Sequence, residues 1–343
     1  MSIKIISKIL IAASLFFTMT FGGCSSNDYP DVSDIEVEVN ILRFEQELFQ
    51  IDTNNLLPNL KKLNDKYGYF ADLYFSEIMK FKSLQDSSMT YAANIPDFIS
   101  YPSVRQLYDT CQTVYGDFST IEKDFKTAFQ FYKYYFPNNP TPTVTTFISE
   151  YGIGAATIGK DQIVVGLDMF LGADYKPYYY PGVQLPNYVT RTMNQQHIVP
   201  KAMEVLAREI VGQHDGLRLI DKMIQNGKVL YVLDLLQPHV EDSIKLGITK
   251  EQAKWLPNNE AEMWKTVFIE RLYERDTRQF QGLIETAPTS PGMPLESPGN
   301  TGSWVGWQIV KQYMEKHPNI TLEQLLQEQD AQKILTASKY KPK

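Results

Sequence analysis

The sequence predicts an α+β protein that is mostly α-helical with one small β-sheet. Three observations carry this. Apolar residues recur at helical spacing through most of the chain, most clearly at Val199, Ala202, Met203, Leu206, Ala207, Ile210 and Val211. Only stretches near Ile35, Val144 and Ile163 have the period-two or β-branched character of strands. With 43% hydrophobic and 21% charged residues the chain has the balance of a globular protein, and 343 residues can bury a sizeable core.

At the N-terminus, Met1 to Lys8 is short and cationic, and Ile9 to Phe21 is an apolar run of signal-peptide length. That run is too short to span a bilayer comfortably. Phe21-Gly-Gly-Cys24, followed by Ser25-Ser-Asn, reads as a bacterial lipobox. Residues 1–23 are then a signal peptide, and residues 24–34 a lipidated N-terminus and tether. Cys24 becomes the first mature residue and carries the acyl chain, palmitate or a relative. No later run reaches transmembrane length, so the expectation is a protein anchored to a membrane and not threaded through it. The net charge is −7, with no Lys/Arg run, which argues against nucleic acid as a partner. Cys111, the other cysteine, lies at helical spacing from Leu107 and Tyr115 and reads as a buried structural thiol.

Residues 35–140 read as an N-terminal strand and a helical lobe. Ile35 to Phe44 alternates apolar and polar residues, a half-buried strand. Helices follow over Leu56 to Tyr67, Tyr69 to Lys82, Ser103 to Gly116, and from Ser119 or Asp117 as cap to about Tyr135. Two prolines between Asn94 and Pro102 read as a break. Residues 141–343 read as a second lobe, forming one compact unit with the first. Thr143 to Ile148 and Gln162 to Leu167 are strands joined by the glycines 152, 154 and 159, predicting a hairpin. A buried central helix runs from Val199 to Gln213, with Glu204 and Arg208 as an exposed pair four residues apart. Separate helices are expected over Leu217 to Gln225 and Lys228 to Gln237. Thr249 caps a helix over Lys250 to Trp255, and Pro257 starts a longer one. Ala287 to Gly302 is loop, and Ser303 reads as the N-cap of a last core helix in which Gly306 leaves room for close backbone approach.

No catalytic set stands out. The histidines are His197, His214, His239 and His317, and none precedes a Glu. His197 and His214 flank the central helix, too far apart along it to share one ion. No Gly-x-Ser-x-Gly occurs, and the glycines near 152–159 lie between strands and open no phosphate loop. His214-Asp215 reads as a helix C-terminal feature, and Glu260 with Glu262 as acidic residues of a first helical turn.

Several stretches together resemble the GldB family of gliding-motility lipoproteins from Bacteroidota. They are Gly23-Cys24, Arg43-Phe44-Glu45-Gln-Glu-Leu-Phe49, Tyr134-Tyr-Phe-Pro137, Val165-Gly-Leu-Asp-Met-Phe-Leu-Gly172, Asn259-Glu260 before Trp264, and Gly302-Ser-Trp-Val-Gly-Trp-Gln-Ile-Val310. From about Tyr151 onward the chain also resembles, more distantly, zinc metalloproteases that carry His-Glu-x-x-His on the central helix. That motif falls here on Ala207-Arg208-Glu209-Ile210-Val211. Ala207 and Val211 stand at the ligand positions, and Arg208 at the catalytic Glu position. The resemblance implies a zincin-like shell without its metal or general base, a pseudoenzyme.

The expected function is that of a non-enzymatic lipoprotein of the cell envelope, needed for gliding motility and its associated secretion machinery. It would be held by its lipid on the inner or outer membrane facing the periplasm, with other envelope proteins as partners and no cofactor or metal. Tyr178, Tyr179 and Tyr180, and the loop Ala287 to Gly302, are the candidate contact surfaces. The alternative is a lipid-anchored hydrolase or divergent metalloprotease-like enzyme using Glu204, Glu260 and His214. A third reading is a glycan-binding module using exposed tyrosines.

Overall fold

The computed structural model of the protein describes residues 29–81 and 90–343, and the signal segment and the lipobox at Gly23-Cys24 lie outside them. The strand expected from Ile35 to Phe44 forms only over β1 (Ile41–Arg43). Val37 and Val39 pack against the core ahead of the ladder. Phe44 shows why the strand stops. It opens α1 (Phe44–Phe49), fully buried, with Tyr67, Phe70 and Tyr74 edge-on around it. Glu45 is buried too, and its carboxylate accepts from Arg43 Nε and Thr146 Oγ1, both at 2.7 Å. A buried carboxylate needs such partners, so the Arg-Phe-Glu stretch works as a clamp between helix and sheet.

The helical lobe follows. α2 (Leu56–Tyr67) buries Leu60, Leu63 and Tyr67 on one face. α3 (Tyr69–Leu73) passes into a π-helical turn, Tyr74–Ile78, ending short of the expected Lys82. The prolines read as a break instead start helices. Pro96 lies in the first turn of α4 (Ile95–Ser100), and Pro102 opens α5 (Pro102–Tyr115). A missing N–H costs nothing there, because the first N–H groups of a helix have no partner. Cys111 on α5 is buried and unbridged. Before α6 (Ser119–Tyr135), Asp117 Oδ1 accepts from Ser119 N at 2.9 Å.

β2 (Thr143–Phe147), β3 (Ala155–Ile158) and β4 (Gln162–Gly166) complete a sheet of order β1-β2-β4-β3. The expected hairpin between β2 and β4 is absent, since they are parallel, with Val144 opposite Ile163. The hairpin is β3–β4, antiparallel, with Thr157 opposite Ile163. β3 hides in the sequence because Ala155-Ala156-Thr157 is small and flanked by glycines, and so reads as a link. Val144 to Phe147 and Ile163 to Gly166 are buried throughout, as interior strands of a parallel sheet are.

The β2–β3 turn is held from inside. Asp168, fully buried in the 3-10 turn Leu167–Phe170, accepts from Ser149 N at 2.9 Å and Tyr151 N at 2.6 Å. The Ser149 hydroxyl lies within 3.2 Å of the same carboxylate and accepts from Gly152 N and Ile153 N. These bonds hold Glu150 and Tyr151 in the left-handed region, at φ 52° and 69°.

After α7 (Asn187–Thr190) comes the central helix, α8 (Ile198–Val211), which stops at Gly212 with φ 74°. α9 (Leu219–Leu236) is one helix where two were expected. Then follow α10 (Asp242–Leu246), α11 (Lys250–Asn258), α12 (Glu260–Met263), α13 (Ile269–Arg271), α14 (Thr277–Ile284), α15 (Thr301–Lys316), α16 (Leu322–Gln327) and α17 (Ala331–Ser338). Thr249 with Gln252, and Thr321 with Gln324, form reciprocal capping boxes on α11 and α16. Gly227 does not break α9, because it is where α15 crosses: a Cβ there would lie 2.3 Å from Gly306 C. Ser303 is not the cap of α15. Asn300 takes that position at φ 62°, and Ser303 Oγ sits inside, accepting from Asn226 Nδ2 at 2.8 Å. Val32–Lys343 forms one compact unit. Among the described residues no helix is long and apolar enough to cross a membrane.

Candidate functional site

The inward stripe of α8 packs Ile198, Ala202, Met203, Leu206 and Ala207 into the core. Its other face, at Lys201, Glu204, Val205 and Arg208, lines a cleft made of two cavities that share Lys201, Leu246 and Thr286. The smaller, about 360 Å³, is mainly apolar and reaches the start of edge strand β3 at Gly154 and Ala155, with Phe170, Met193 and Val205. The larger, about 610 Å³, is polar and gathers Lys201, Glu204, Arg208, Lys245, Asn300 and Ser303 from three helices and a loop end.

Glu204 is the centre of the polar part. Its carboxylate accepts from Lys201 Nζ at 3.0 Å and from Arg208 Nη2 at 2.8 Å and Nε at 3.2 Å. Burial alone would raise its pKa, but the two cations outweigh burial and hold it down at about 2. The pair expected to be exposed is therefore unequal: the Glu204 side chain is 17% exposed and that of Arg208 50%. Lys245, nearly buried, pairs with Asp234 and with Asp242 at 3.0 Å, and Trp307 lies under its ammonium. The Oδ1 of Asn300 is buried without a partner at the cleft wall.

In this arrangement Glu204 orders charge on the cleft wall. A general base works best with a pKa near the working pH. Glu204 is a carboxylate held ionised, with both oxygens engaged. Ala207 and Val211 are buried side chains of the core, and Arg208 is tied to Glu204. The proposed trio Glu204, Glu260 and His214 shares no hydrogen-bond partner. Glu260 accepts from Tyr340 Oη at 2.6 Å and Lys343 N at 3.3 Å. His214 Nδ1 accepts from Gly216 N, and its Nε2 meets Gln329 O. His197 is buried against Asn194, and burial lowers its pKa to about 4. His317 meets Tyr313 O, and the ring of His239 stands edge-on to Phe131.

The tyrosine loop divides. Tyr178 is fully buried and belongs to the scaffold: its hydroxyl donates to Asp168 O at 2.6 Å and accepts from Leu171 N at 3.0 Å. Tyr179 and Tyr180 are exposed. Tyr180 lines a cavity of about 650 Å³ with Tyr151, Tyr175, Leu107 and Pro177. Pro-bounded tyrosines look alike in sequence, and only the neighbouring turn decides which one faces in. In the loop Ala287 to Gly302, Leu295 is exposed while Ser290 and Ser297 are buried. The sequence places Lys201 with Glu204 and Arg208 on one face of the central helix, but it did not mark Lys245 and Asn300 as cleft residues, because nothing local marks side chains that meet only across separate elements.

Compared with known proteins, residues 25–342 match the lipoprotein family model described as "Gliding motility protein GldB". No curated protein and no solved structure matches the chain.

Proposed function

The chain belongs to the gliding motility protein GldB family, so its role lies in gliding motility and its setting is the cell envelope, and from that premise we propose that it works there without catalysis, through contacts with other envelope proteins. The observation that carries this reading is the clamp on α8, where Lys201 and Arg208 occupy the carboxylate that α8 turns to the cleft. A zincin-like origin for the second lobe fits the core packing of Ala207 and Val211. In this proposal Cys24 carries the lipid that holds the protein on the membrane.

The test is metal content together with motility. Protein incubated with zinc and desalted is expected to retain no stoichiometric metal, and cells carrying Glu204→Gln are expected to keep gliding. Stoichiometric zinc that is lost on substituting His214 or Glu260 would restore the hydrolase reading.

The contact surface is proposed at Tyr179 and Tyr180, beside the cavity under Tyr180. Tyr179→Ser with Tyr180→Ser is expected to leave stability within about 0.5 kcal/mol, as surface changes do, while weakening partner crosslinking in cells. Tyr178→Ser is expected to cost about 3 kcal/mol by opening a cavity and stranding Leu171 N. Normal crosslinking by the stable double variant would remove this loop from the contact surface.

A further inference from the structure

β3 lies at the edge of the sheet, bonded to β4 on one side. Gly166 N donates to Gly154 O at 3.0 Å, and the register runs on through Ala156 opposite Val164 to Ile158 opposite Gln162. Bonded and non-bonded pairs alternate along an antiparallel ladder. Ala155 and Thr157 therefore turn their N–H and C=O groups away from β4, and these groups meet no partner among the described residues. Edge strands are ordinarily shielded by charge, proline or a bulge. Ala155-Ala156-Thr157-Ile158 has neither charge nor proline, and all four residues are half-buried. The shortness of β3 works against addition of a further strand, so the walls beside it must contribute. Ala155 lines the apolar cavity of the cleft with Met169, Phe170, Met193 and Val205. Val189 of α7 lines it too, and the hydroxyl of the adjacent Thr190 meets Tyr179 Oη at 2.9 Å, so the cavity adjoins the tyrosine loop. Beyond Lys201 the cleft gathers four cations, Lys201, Arg208, Lys222 and Lys245, against the carboxylates of Glu204 and Glu285. Lys245 is answered by Asp234 and Asp242. Glu204, however, is shared by two cations, and Lys222 makes no ion pair among the described residues.

We propose that an extended segment of a partner polypeptide adds to the outer edge of β3, sets an apolar side chain in the smaller cavity and carries carboxylates toward Arg208 and Lys222. An extended backbone offers donors and acceptors at the repeat of the strand, which is what the outward groups of Ala155 and Thr157 require. A fatty acid would suit the apolar and cationic walls but would leave the edge unpaired. The β3 of a second copy would pair the edge, but it carries no carboxylate and brings mainly small side chains to a cavity of about 360 Å³. That the segment belongs to another envelope protein rests on the contact reading above; that β3 accepts an added strand does not.

The test is titration of the full-length chain in lipid nanodiscs with a labelled, capped peptide of alternating threonine and leucine ending in two glutamates, followed by fluorescence anisotropy. The same peptide with an N-methylated backbone, its glutamine version and laurate serve as comparisons. Saturable binding of the parent peptide is expected, with the N-methylated peptide at least about tenfold weaker, the loss of a hydrogen bond or two, and the glutamine version weaker as well. Ala155→Pro removes an outward N–H and leaves the bonds to β4 in place, a substitution that an edge strand tolerates. At unchanged thermal stability it should weaken binding about tenfold, and Val205→Trp, which fills the apolar cavity, should weaken it too. Equal binding of the N-methylated peptide, or indifference to both substitutions, would overturn strand addition. Laurate displacing the peptide at lower concentration would overturn a polypeptide as the occupant. Concentration-dependent dimers that Ala155→Pro abolishes would assign the edge to a second copy instead. If the peptide binds as expected but a photocrosslinker at Thr157 captures no envelope protein in cells, the contact reading fails for this cleft and the strand site stands.

Discussion

Gly306→Ala is expected to destabilise the protein by about 3 kcal/mol or more, at the upper end of what overpacking costs. The added Cβ would sit 1.8 Å from Met223 O and 2.5 Å from Met223 C, backbone atoms of α9 that cannot rotate away. Gly227 presses on the same crossing from the other side, 2.5 Å from Gly306 O by the same measure. The two helices can relieve the clash only by separating, which opens the packing of Trp307, Val310, Met223 and Ile224, all of them buried. Alanine's better helix propensity, worth about 1 kcal/mol over glycine, does not offset this. Chemical denaturation of Gly306→Ala, Gly227→Ala and the double variant checks it. Because both residues report one crossing, the double variant should cost less than the sum of the singles. A loss below about 1 kcal/mol for Gly306→Ala would mean that the crossing is not as tight as described.

Asp168→Ala is expected to cost about 3 kcal/mol, since it leaves the buried Ser149 N–H and the partly buried Tyr151 N–H without their acceptor at roughly 1–3 kcal/mol each. Glu150 and Tyr151 would lose what holds them in the left-handed region, and the start of β3 would loosen with them. Asp168 also predicts a pH dependence. Burial raises its folded-state pKa to about 6, against the pull of the Tyr151 and Ser149 bonds. A folded pKa above the unfolded one means that the folded state holds the proton more tightly. The contribution of this group is therefore full below the ordinary aspartate value and is lost as pH rises through about 6. Asp168→Asn cannot titrate, so the stability gap between wild type and this variant should narrow from pH 4 to pH 7. A constant gap would place the Asp168 pKa outside that window.

Much of the fold was legible in the sequence. Helices α2, α5, α6, α8 and α15 follow from apolar spacing and caps, which are local signals read within a few turns. The misreadings share one cause. β2 and β4 looked like hairpin arms because they are near in sequence, but β3 pairs with β4 while β2 lies parallel on its other side. α9 looked broken at Asn226-Gly227, because a glycine placed for a crossing helix looks the same as a glycine that ends one. The Val165–Gly172 stretch, quoted for its family resemblance, turns out to contain the Asp168 hub that holds the β2–β3 turn. The candidate site was less legible. Glu204 and Arg208 were visible as a pair with Lys201 on the same helix face, but Lys245 arriving from α10 and Asn300 from the turn before α15 were not.

The sequence by itself determined the fold class, the position of the central helix and the absence of a His-Glu motif, because periodicity and residue identity are local properties. Only the tertiary structure decided strand order, the inward turn of Tyr178, the glycine crossing of α9 and α15, and the arrival of Lys245 and Asn300 at the cleft. Each of these depends on which side chains meet across long sequence separations, and that is settled by packing and by the need to pair every buried polar group.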